Sequence, residues 1–258
     1  MQRLRGLTVV LWGLALACAV PRPAGAAEVR AAVAANFSGP TADLIAQFYK
    51  QTGHTVVTSP GSSGKLATQI RQGAPFDVFL SADEAAPAAL EAEGLTVPGT
   101  RFVYAVGRLV LWSPDLALID KDAKVLRDGR FAKLAIADPK LAPYGRAAQA
   151  TLTHLGLWQA LQPKLVTGEN VQQAYQFAAT GNAQLALVSQ AQVNVRGARR
   201  EGSSWLVPAN LHAAIRQSAV LLKSARDRAA ATAFLQFLRQ PAALDLLRQA
   251  GYEAPGGK

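Results

Sequence analysis

The sequence is poor in the residues that build reactive or metal-binding centres. It has one cysteine, Cys18, and three histidines, His54, His154 and His212, which lie far apart in the chain. A single cysteine cannot form an internal disulfide, and the histidines lack the i, i+4 spacing typical of zinc ligands. No G-x-S-x-G nucleophile elbow occurs either. These absences argue against an enzyme.

Long runs of like charge are also missing. The chain carries a net charge of +10 at pH 7, yet its basic residues are scattered, with no run of five or more like charges and no interleaving with aromatic residues. A dedicated nucleic-acid surface is therefore not expected. The surplus of positive charge is compatible with weak attraction of small anions.

Residues 1–26 have the pattern of a secretory signal peptide. Arg3 and Arg5 precede an uncharged apolar run at 7–20, and Ala24-Gly25-Ala26 is a small-residue cleavage pattern. The run is shorter than the ~20 residues of a membrane span. Lipid attachment at Cys18 is the weaker alternative. The sequence thus predicts export to the periplasm and a mature chain without cysteine.

The rest of the chain alternates between strand-like and helix-like segments. This order predicts α/β structure with parallel sheets covered on both faces. The predicted strands are 29–35, 55–58, 77–81, 134–137, 165–166 and 185–189. The predicted helices are 41–51, 63–72, 83–93, 144–155, 171–179, 226–238 and 241–249.

Two further apolar segments, 102–113 and 214–222, are too long for ordinary strands of about five or six residues. We interpret them as two crossings between a pair of lobes, which together form a double hinge. One lobe comprises residues 28–106 plus 217–258 and the other comprises 107–216. Ligands of open α/β sheets bind beyond the carboxyl ends of the strands, so a binding cleft is expected between the lobes.

The strongest local signal in this cleft is Ser59-Pro60-Gly61-Ser62-Ser63-Gly64-Lys65, which follows a strand and opens a helix. Helix starts expose unpaired N–H groups that bind anions, and the serines add hydroxyl donors. Leu66 occupies the position of the magnesium-binding Ser or Thr of a nucleotide P-loop, which excludes that motif. An ordinary serine cap is the alternative interpretation.

Three other residues stand at comparable strand-to-helix turns. Asn36 follows the first strand, Tyr144 opens a helix after Ala142-Pro143, and Val171 opens another and offers only its backbone N–H. Each has a purely structural alternative: a turn asparagine, a half-buried tyrosine and an unremarkable helix start.

Taken together and in order, these segments resemble the periplasmic molybdate-binding proteins of ABC transporters, the ModA family. The resemblance covers the mature chain. Its segments are Ala34-Ala35-Asn36-Phe37, Thr52-Gly53-His54, residues 59–65, 73–83 and 104–113, Ala142-Pro143-Tyr144-Gly145 and Ala250-Gly251-Tyr252.

The resemblance implies a type II periplasmic binding-protein fold, in which each of two lobes is a mixed sheet flanked by helices. It also implies a site in which Asn36, Ser63, Tyr144 and Val171 hold the oxyanion, with Ala35 and Ser62 flanking them. Many members carry serine at the position of Asn36, and some place the ligating tyrosine at the position of Ser189. Tyr144 would then supply the phenol from another loop.

The expected ligand is molybdate or tungstate, bound through its oxygens without direct protein–metal ligands and without a cofactor. Another small anion such as sulfate on the same fold is the alternative, and an enzyme or a lipid-anchored interaction protein is the third hypothesis. The expected protein partners are the membrane permease subunits of an ABC importer, and the protein itself is expected to be a monomer.

Overall fold

The computed structural model of the chain describes residues 25–195, 198–199 and 201–256. The predicted signal peptide, apart from residues 25 and 26, and Cys18 lie outside the described residues. Within those residues, no helix is both long enough and apolar enough to span a bilayer.

Twelve strands and ten α-helices are present in the described part of the chain. The strands are β1 (Glu28–Ala34), β2 (Thr55–Gly61), β3 (Val78–Ser81), β4 (Phe102–Gly107), β5 (Leu109–Ser113), β6 (Leu134–Ala137), β7 (Leu165–Gly168), β8 (Leu185–Ser189), β9 (Asn194–Val195), β10 (Ala198–Arg199), β11 (Ser203–Leu206) and β12 (Ile215–Leu221). The helices are α1 (Ser38–Thr52), α2 (Ser63–Arg71), α3 (Ala85–Ala92), α4 (Val125–Asp128), α5 (Pro143–His154), α6 (Trp158–Leu161), α7 (Val171–Ala179), α8 (Gln190–Val193), α9 (Arg228–Phe237) and α10 (Pro241–Gln249). Short 3₁₀ turns lie at Ala35–Phe37, Gln162–Lys164 and Ala209–Leu211.

Two five-stranded sheets organise the molecule, with the orders β2-β1-β3-β12-β4 and β11-β5-β8-β6-β7. In the first, β1 is parallel to β2 and β3, and β12 is antiparallel to β3 and β4. In the second, β6 is parallel to β7 and β8, and β5 is antiparallel to β8 and β11. The expectation of two lobes with mixed sheets is confirmed, whereas the purely parallel sheets inferred from element alternation are wrong. Strand β12 enters the first sheet from the other lobe, and β5 enters the second sheet in the same way. Each is therefore antiparallel to the parallel strands of the sheet that it joins.

The chain crosses between the sheets where β4 leads into β5 through Arg108, and again between β11 and β12. The apolar segment 102–113 is therefore two strands in different sheets. The lobe limits at 106/107 and 216/217 stay a prediction. Strands β4 and β12 pair beside these limits, where Ile215 lies opposite Gly107.

Separate apolar cores hold the two sheets. One core covers β1, β12 and helices α1, α9 and α10, where Phe48 packs edge-on against Phe234 at 5.2 Å between ring centroids. In the same core, Phe37 packs edge-on against Tyr104 and Tyr252 at 5.0 and 5.7 Å. These contacts fix the 3₁₀ turn that carries Asn36.

Strand β2 continues through Ser59, Pro60 and Gly61, which the sequence pattern assigns to a loop. Strand β2 is at the edge of its sheet, where a proline without an N–H group is tolerated. The helix begins at Ser63, as predicted.

Candidate functional site

The ends of the parallel strands are level within each sheet. Ala34 at the end of β1 pairs with Gly61 at the end of β2. In the other sheet, Ala137 at the end of β6 pairs with Gly168 at the end of β7. A helical turn follows each of these four ends, at once after β1 and within six residues after the others, so four helix starts with unpaired N–H groups lie at the space between the lobes.

A small cavity lies where these turns meet. Its volume is ≈ 10 Å³. One lobe contributes Ala34, Ala35, Asn36, Gly61, Ser62, Ser63 and Ala82, and the other contributes Ala142, Pro143, Tyr144, Asn170 and Val171. The structure thus brings together the four predicted site residues and both flanking ones.

Two buried hydroxyls open helix α2 at the cavity. Ser63 Oγ accepts a hydrogen bond from the backbone N–H of Ala82 at 2.9 Å, so its own proton is free to donate. Ser62 Oγ is buried and has no hydrogen-bond partner among the described atoms. A buried hydroxyl without a partner is unfavourable and is therefore a ready donor to a ligand.

The phenol of Tyr144 reaches the cavity from the other lobe and is also fully buried. Burial raises the pKa of Tyr144 well above its ordinary value, so the phenol stays neutral and keeps its proton. Its oxygen accepts hydrogen bonds from Ser189 Oγ at 3.1 Å and Gln217 Nε2 at 3.3 Å. Ser189 therefore supports Tyr144.

Asn36 lies in the first helical turn after β1 and is 1% exposed. Its Nδ2 group donates to Gln217 Oε1 at 3.0 Å and to the hydroxyl of Tyr252 at 2.9 Å. Tyr252 in turn donates to the backbone carbonyl of Asn36 at 3.0 Å. The side chain is thus tied into the protein behind the cavity.

Val171 is the first residue of α7 and is buried. The side chain of Asn170 caps this helix by accepting from the backbone N–H of Gln173 at 3.0 Å. Gln192 Nε2 donates to the carbonyl oxygen of Val171 at 3.2 Å. The N–H of Val171, at the first position of the helix, has no acceptor within the helix.

The electrostatics of the cavity favour an anion without a cationic side chain. Among the residues that the structure describes, none that lines this cavity is charged. The positive ends of α2, α5 and α7 point at it, each equivalent to roughly half an elementary charge. Charged residues lie at the rim, where Lys65 pairs with Glu169 and Arg146 pairs with Asp83 across the cleft.

A wider groove of ≈ 710 Å³ lies beside the cavity and shares Ala35 and Asn170 with it. Its walls carry the carboxylates of Asp43 and Glu169 together with several amide side chains. Carboxylates repel an anion, and the groove shares with the cavity neither the two serines nor the Tyr144 phenol. The chemistry of the lining therefore favours the small cavity as the anion site, despite the size of its neighbour.

Comparison with known proteins agrees with this geometry. Residues 29–253 match the family model described as bacterial extracellular solute-binding protein. The chain is 51% identical over 239 residues to the molybdate-binding protein ModA of Rhodobacter capsulatus, covering 93% of each chain. It is 49% identical over 246 residues to that of Azotobacter vinelandii, covering 95% of this chain and 96% of the relative. The chain belongs to the ModA family of solute-binding proteins.

A solved structure extends the likeness to three dimensions. The periplasmic molybdate-binding protein of Azotobacter vinelandii superimposes with a TM-score of 0.86 at 43% identity, over 88% of this chain and 99% of that one. The ModA family consists of solute-binding proteins, so the prediction of a binding protein rather than an enzyme is confirmed.

Three residues behind the cavity were not predicted as part of the site, namely Tyr104, Gln217 and Tyr252. They bond to Asn36, to Tyr144 or to one another. Gln217 carries one usable signal in the sequence, since it lies with Arg216 and Ser218 in a polar interruption of a strand that is otherwise apolar. Tyr104 and Tyr252 carry none, because buried tyrosines are common in cores of this kind.

Proposed function

We propose that the chain captures molybdate or tungstate in the cavity between its lobes. The observation that carries the proposal is the convergence of Asn36, Ser63, Tyr144 and Val171 on one small cavity without charged lining residues. Each offers a hydroxyl or a helix-start N–H group. The ModA name of relatives at 51% and 49% identity supports this choice of ligand.

The mechanism is replacement of the ion's water shell by protein donors. Ser62, Ser63 and Tyr144 offer hydroxyls, and Ala35, Asn36 and Val171 offer backbone N–H groups. Hydrogen bonds to a charged group contribute roughly 1.5–3 kcal/mol each. After the costs of ordering and desolvation, five or six such bonds give a dissociation constant of roughly micromolar to nanomolar.

The donor set also accounts for selectivity. A protonated phosphate would bring an O–H group to hydroxyls and N–H groups that offer it no good acceptor, which penalises it. Sulfate is smaller than molybdate, and donors fixed at helix starts in two lobes cannot contract onto a shorter ion without straining their packing. Sulfate is therefore not the favoured ligand.

We further propose that the mature protein works in the periplasm, as a monomer, and delivers the ion to the permease subunits of an ABC importer. The signal-peptide pattern at residues 1–26 and the periplasmic family structure support this location. Cell fractionation and the mass of the mature chain test it. A mature chain starting near Glu28 is expected, and one that retains a lipidated Cys18 contradicts it.

Isothermal titration of the purified protein with molybdate, tungstate, sulfate and phosphate tests the proposed ligand. We expect tight binding of the first two and binding at least about a hundredfold weaker, ~2.7 kcal/mol, of the others. For the substitution Tyr144→Phe, which removes the phenol hydroxyl from the site, Tyr49→Phe is the matched control because Tyr49 is 55% exposed on α1. Sulfate binding as tight as molybdate binding contradicts the proposal.

A further inference from the structure

Gln217 joins the side chains behind the cavity into one buried network. It lies on the crossing strand β12, at a point where the strand register shifts, and is 0% exposed. Its Oε1 accepts from Asn36 Nδ2 and from the hydroxyl of Tyr104, both at 3.0 Å. Its Nε2 donates to the oxygen of Tyr144 at 3.3 Å. One amide therefore contacts two site residues that belong to different lobes.

The network determines where the proton of Tyr144 points. A phenol oxygen has one proton to donate and accepts through its lone pairs. Ser189 Oγ and Gln217 Nε2 both donate to this oxygen. Its acceptor capacity is thus occupied on the protein side, and the proton is left to donate into the cavity that Tyr144 lines.

The same network directs the amide protons of Asn36 away from the cavity. An asparagine amide has two protons, and those of Asn36 go to Gln217 Oε1 and to Tyr252. The side chain therefore has no proton left for a ligand. Asn36 acts on the anion through its backbone N–H, in the unpaired first turn after β1.

We propose that Gln217 is a positioning residue that sets the hydrogen-bond polarity of the site. It orients the phenol proton of Tyr144 towards the anion and holds the Asn36 amide in place. This inference rests on the proposed function. Both halves of the amide are needed, because Oε1 faces two donors and Nε2 faces an acceptor. A carboxylate at this position would accept the phenol proton and withdraw it from the ligand.

The variant Gln217→Glu tests this polarity through its pH profile. A neutral carboxyl group can donate to Tyr144 as the amide does, whereas the ionised form cannot. We expect the Q217E variant to bind molybdate roughly tenfold to a hundredfold more weakly at about pH 9 than at about pH 6, since one hydrogen bond to a charged ligand is lost. The wild-type affinity should stay constant across that range.

The other titratable groups that face position 217 do not contribute to the expected pH dependence of molybdate affinity. They are the phenols of Tyr104, Tyr144 and Tyr252, and burial raises the pKa of each above its ordinary value. They stay neutral throughout the titration. The charged pairs nearest in sequence, Arg216 with Glu84 and Arg108 with Glu253, are present in wild type and variant alike.

A cycle with Tyr144→Phe separates positioning from a merely structural role. If Gln217 acts through the phenol, Y144F removes most of the pH dependence of Q217E, and the two effects on affinity are not additive. Gln217→Met is the second variant should Q217E fail to fold, and its effect should likewise be non-additive with Y144F.

These measurements distinguish failure of the proposed function from failure of the proposed role of Gln217. A wild-type protein that does not bind molybdate overturns the proposed function. A wild-type protein that binds it, with Q217E flat between the two pH values or with effects that add fully to those of Y144F, overturns the role of Gln217 alone.

Discussion

At the scale of single residues, two neighbouring serines at the start of α2 have opposite environments. Ser63 Oγ has a protein partner in the N–H of Ala82, whereas Ser62 Oγ is buried with no partner among the described atoms. A buried polar group that lacks a partner costs stability, and removing one half of a bonded pair leaves the other half unsatisfied. The two serines should therefore respond differently to the same substitution.

We expect Ser62→Ala to weaken molybdate binding roughly tenfold while leaving the melting temperature of the ligand-free protein unchanged or higher. Ser63→Ala should weaken binding by a similar factor and also destabilise the ligand-free protein by about 1–3 kcal/mol, because the N–H of Ala82 loses its acceptor. Titration calorimetry and thermal unfolding measure both effects. Equal losses of stability in the two variants would contradict this assignment.

The four candidate residues that line the cavity could be predicted from sequence, and the residues behind them that support them could not. Asn36, Ser63, Tyr144 and Val171 stand at strand-to-helix turns, which are local patterns. The role of Gln217 arises from contacts with Tyr104, 113 positions away, and with Asn36, 181 positions away. Local sequence carries no information on such pairings.

At the scale of secondary-structure elements, the junction between β4 and β5 is the tightest point of the hinge. Gly107 ends β4, and a Cβ atom there would overlap the hydroxyl of Tyr144 and lie 2.7 Å from Gln217 Nε2. Its φ is not in the left-handed region, so alanine is compatible with the backbone itself. The absence of a side chain at Gly107 therefore allows the lobes to close around Tyr144.

We expect Gly107→Ala to weaken molybdate binding roughly tenfold to a hundredfold, because overpacking of a closed site costs ~1–3 kcal/mol. Gly39→Ala on α1 is the matched control, since a Cβ there meets one atom at 3.8 Å. Titration calorimetry gives the affinities, and small-angle scattering with and without ligand reports closure. Unchanged affinity in G107A would show that Tyr144 does not approach this junction.

Elements with a strong repeating pattern were predicted to within a few residues. Helices α7 and α10 have the predicted bounds, and β6 and β8 do as well. Elements that the pattern missed are short: α4 and α6 are single turns of four residues, and β11 is a four-residue edge strand. Such elements depend on their neighbours for stability, so their own sequence is weakly periodic.

At the scale of the whole molecule, two ion pairs join the lobes at the rim of the cavity. Lys65 on α2 pairs with Glu169, and Arg146 on α5 pairs with Asp83. Nearby, the N–H of Gly64 donates to the carbonyl oxygen of Leu141 in the other lobe at 3.0 Å. A Cβ at Gly64 would also lie 3.0 Å from that oxygen, so glycine permits this approach. These contacts stabilise the closed arrangement.

A double-mutant cycle on Arg146→Ala and Asp83→Ala separates the interaction between the two side chains from the effect of removing each charge alone. We expect a coupling in molybdate affinity of about two- to fivefold, or ~0.4–1 kcal/mol, which diminishes at high salt. The pair of Arg71 and Glu93 is the control, because both residues lie in one lobe. Coupling of that pair to ligand affinity would argue against closure as the cause.

The buried phenols predict the alkaline stability of the fold. Burial raises the pKa of Tyr104, Tyr144 and Tyr252 above the ordinary value. Their contribution is complete below about pH 10, the unfolded value, and is lost as pH rises towards the folded values. Each phenol should lower the free energy of unfolding by up to ~1.4 kcal/mol per pH unit above about pH 10.

Urea unfolding of the wild type and Tyr104→Phe at increasing pH measures this loss. The variant should lose stability more gradually than the wild type above about pH 10, because one of the three raised phenols is gone. Identical slopes for the two proteins would mean that Tyr104 ionises equally easily in the folded and unfolded states.

The bond between Asn36 and Tyr252 joins positions 216 residues apart. The turn that carries Asn36 is thus held by one of the last described residues of the chain. A contact of such separation requires closure of a long loop, which costs chain entropy. The proposed anion site is therefore complete only when both ends of the described chain are in place, so we expect a chain still being threaded or assembled not to retain the ion.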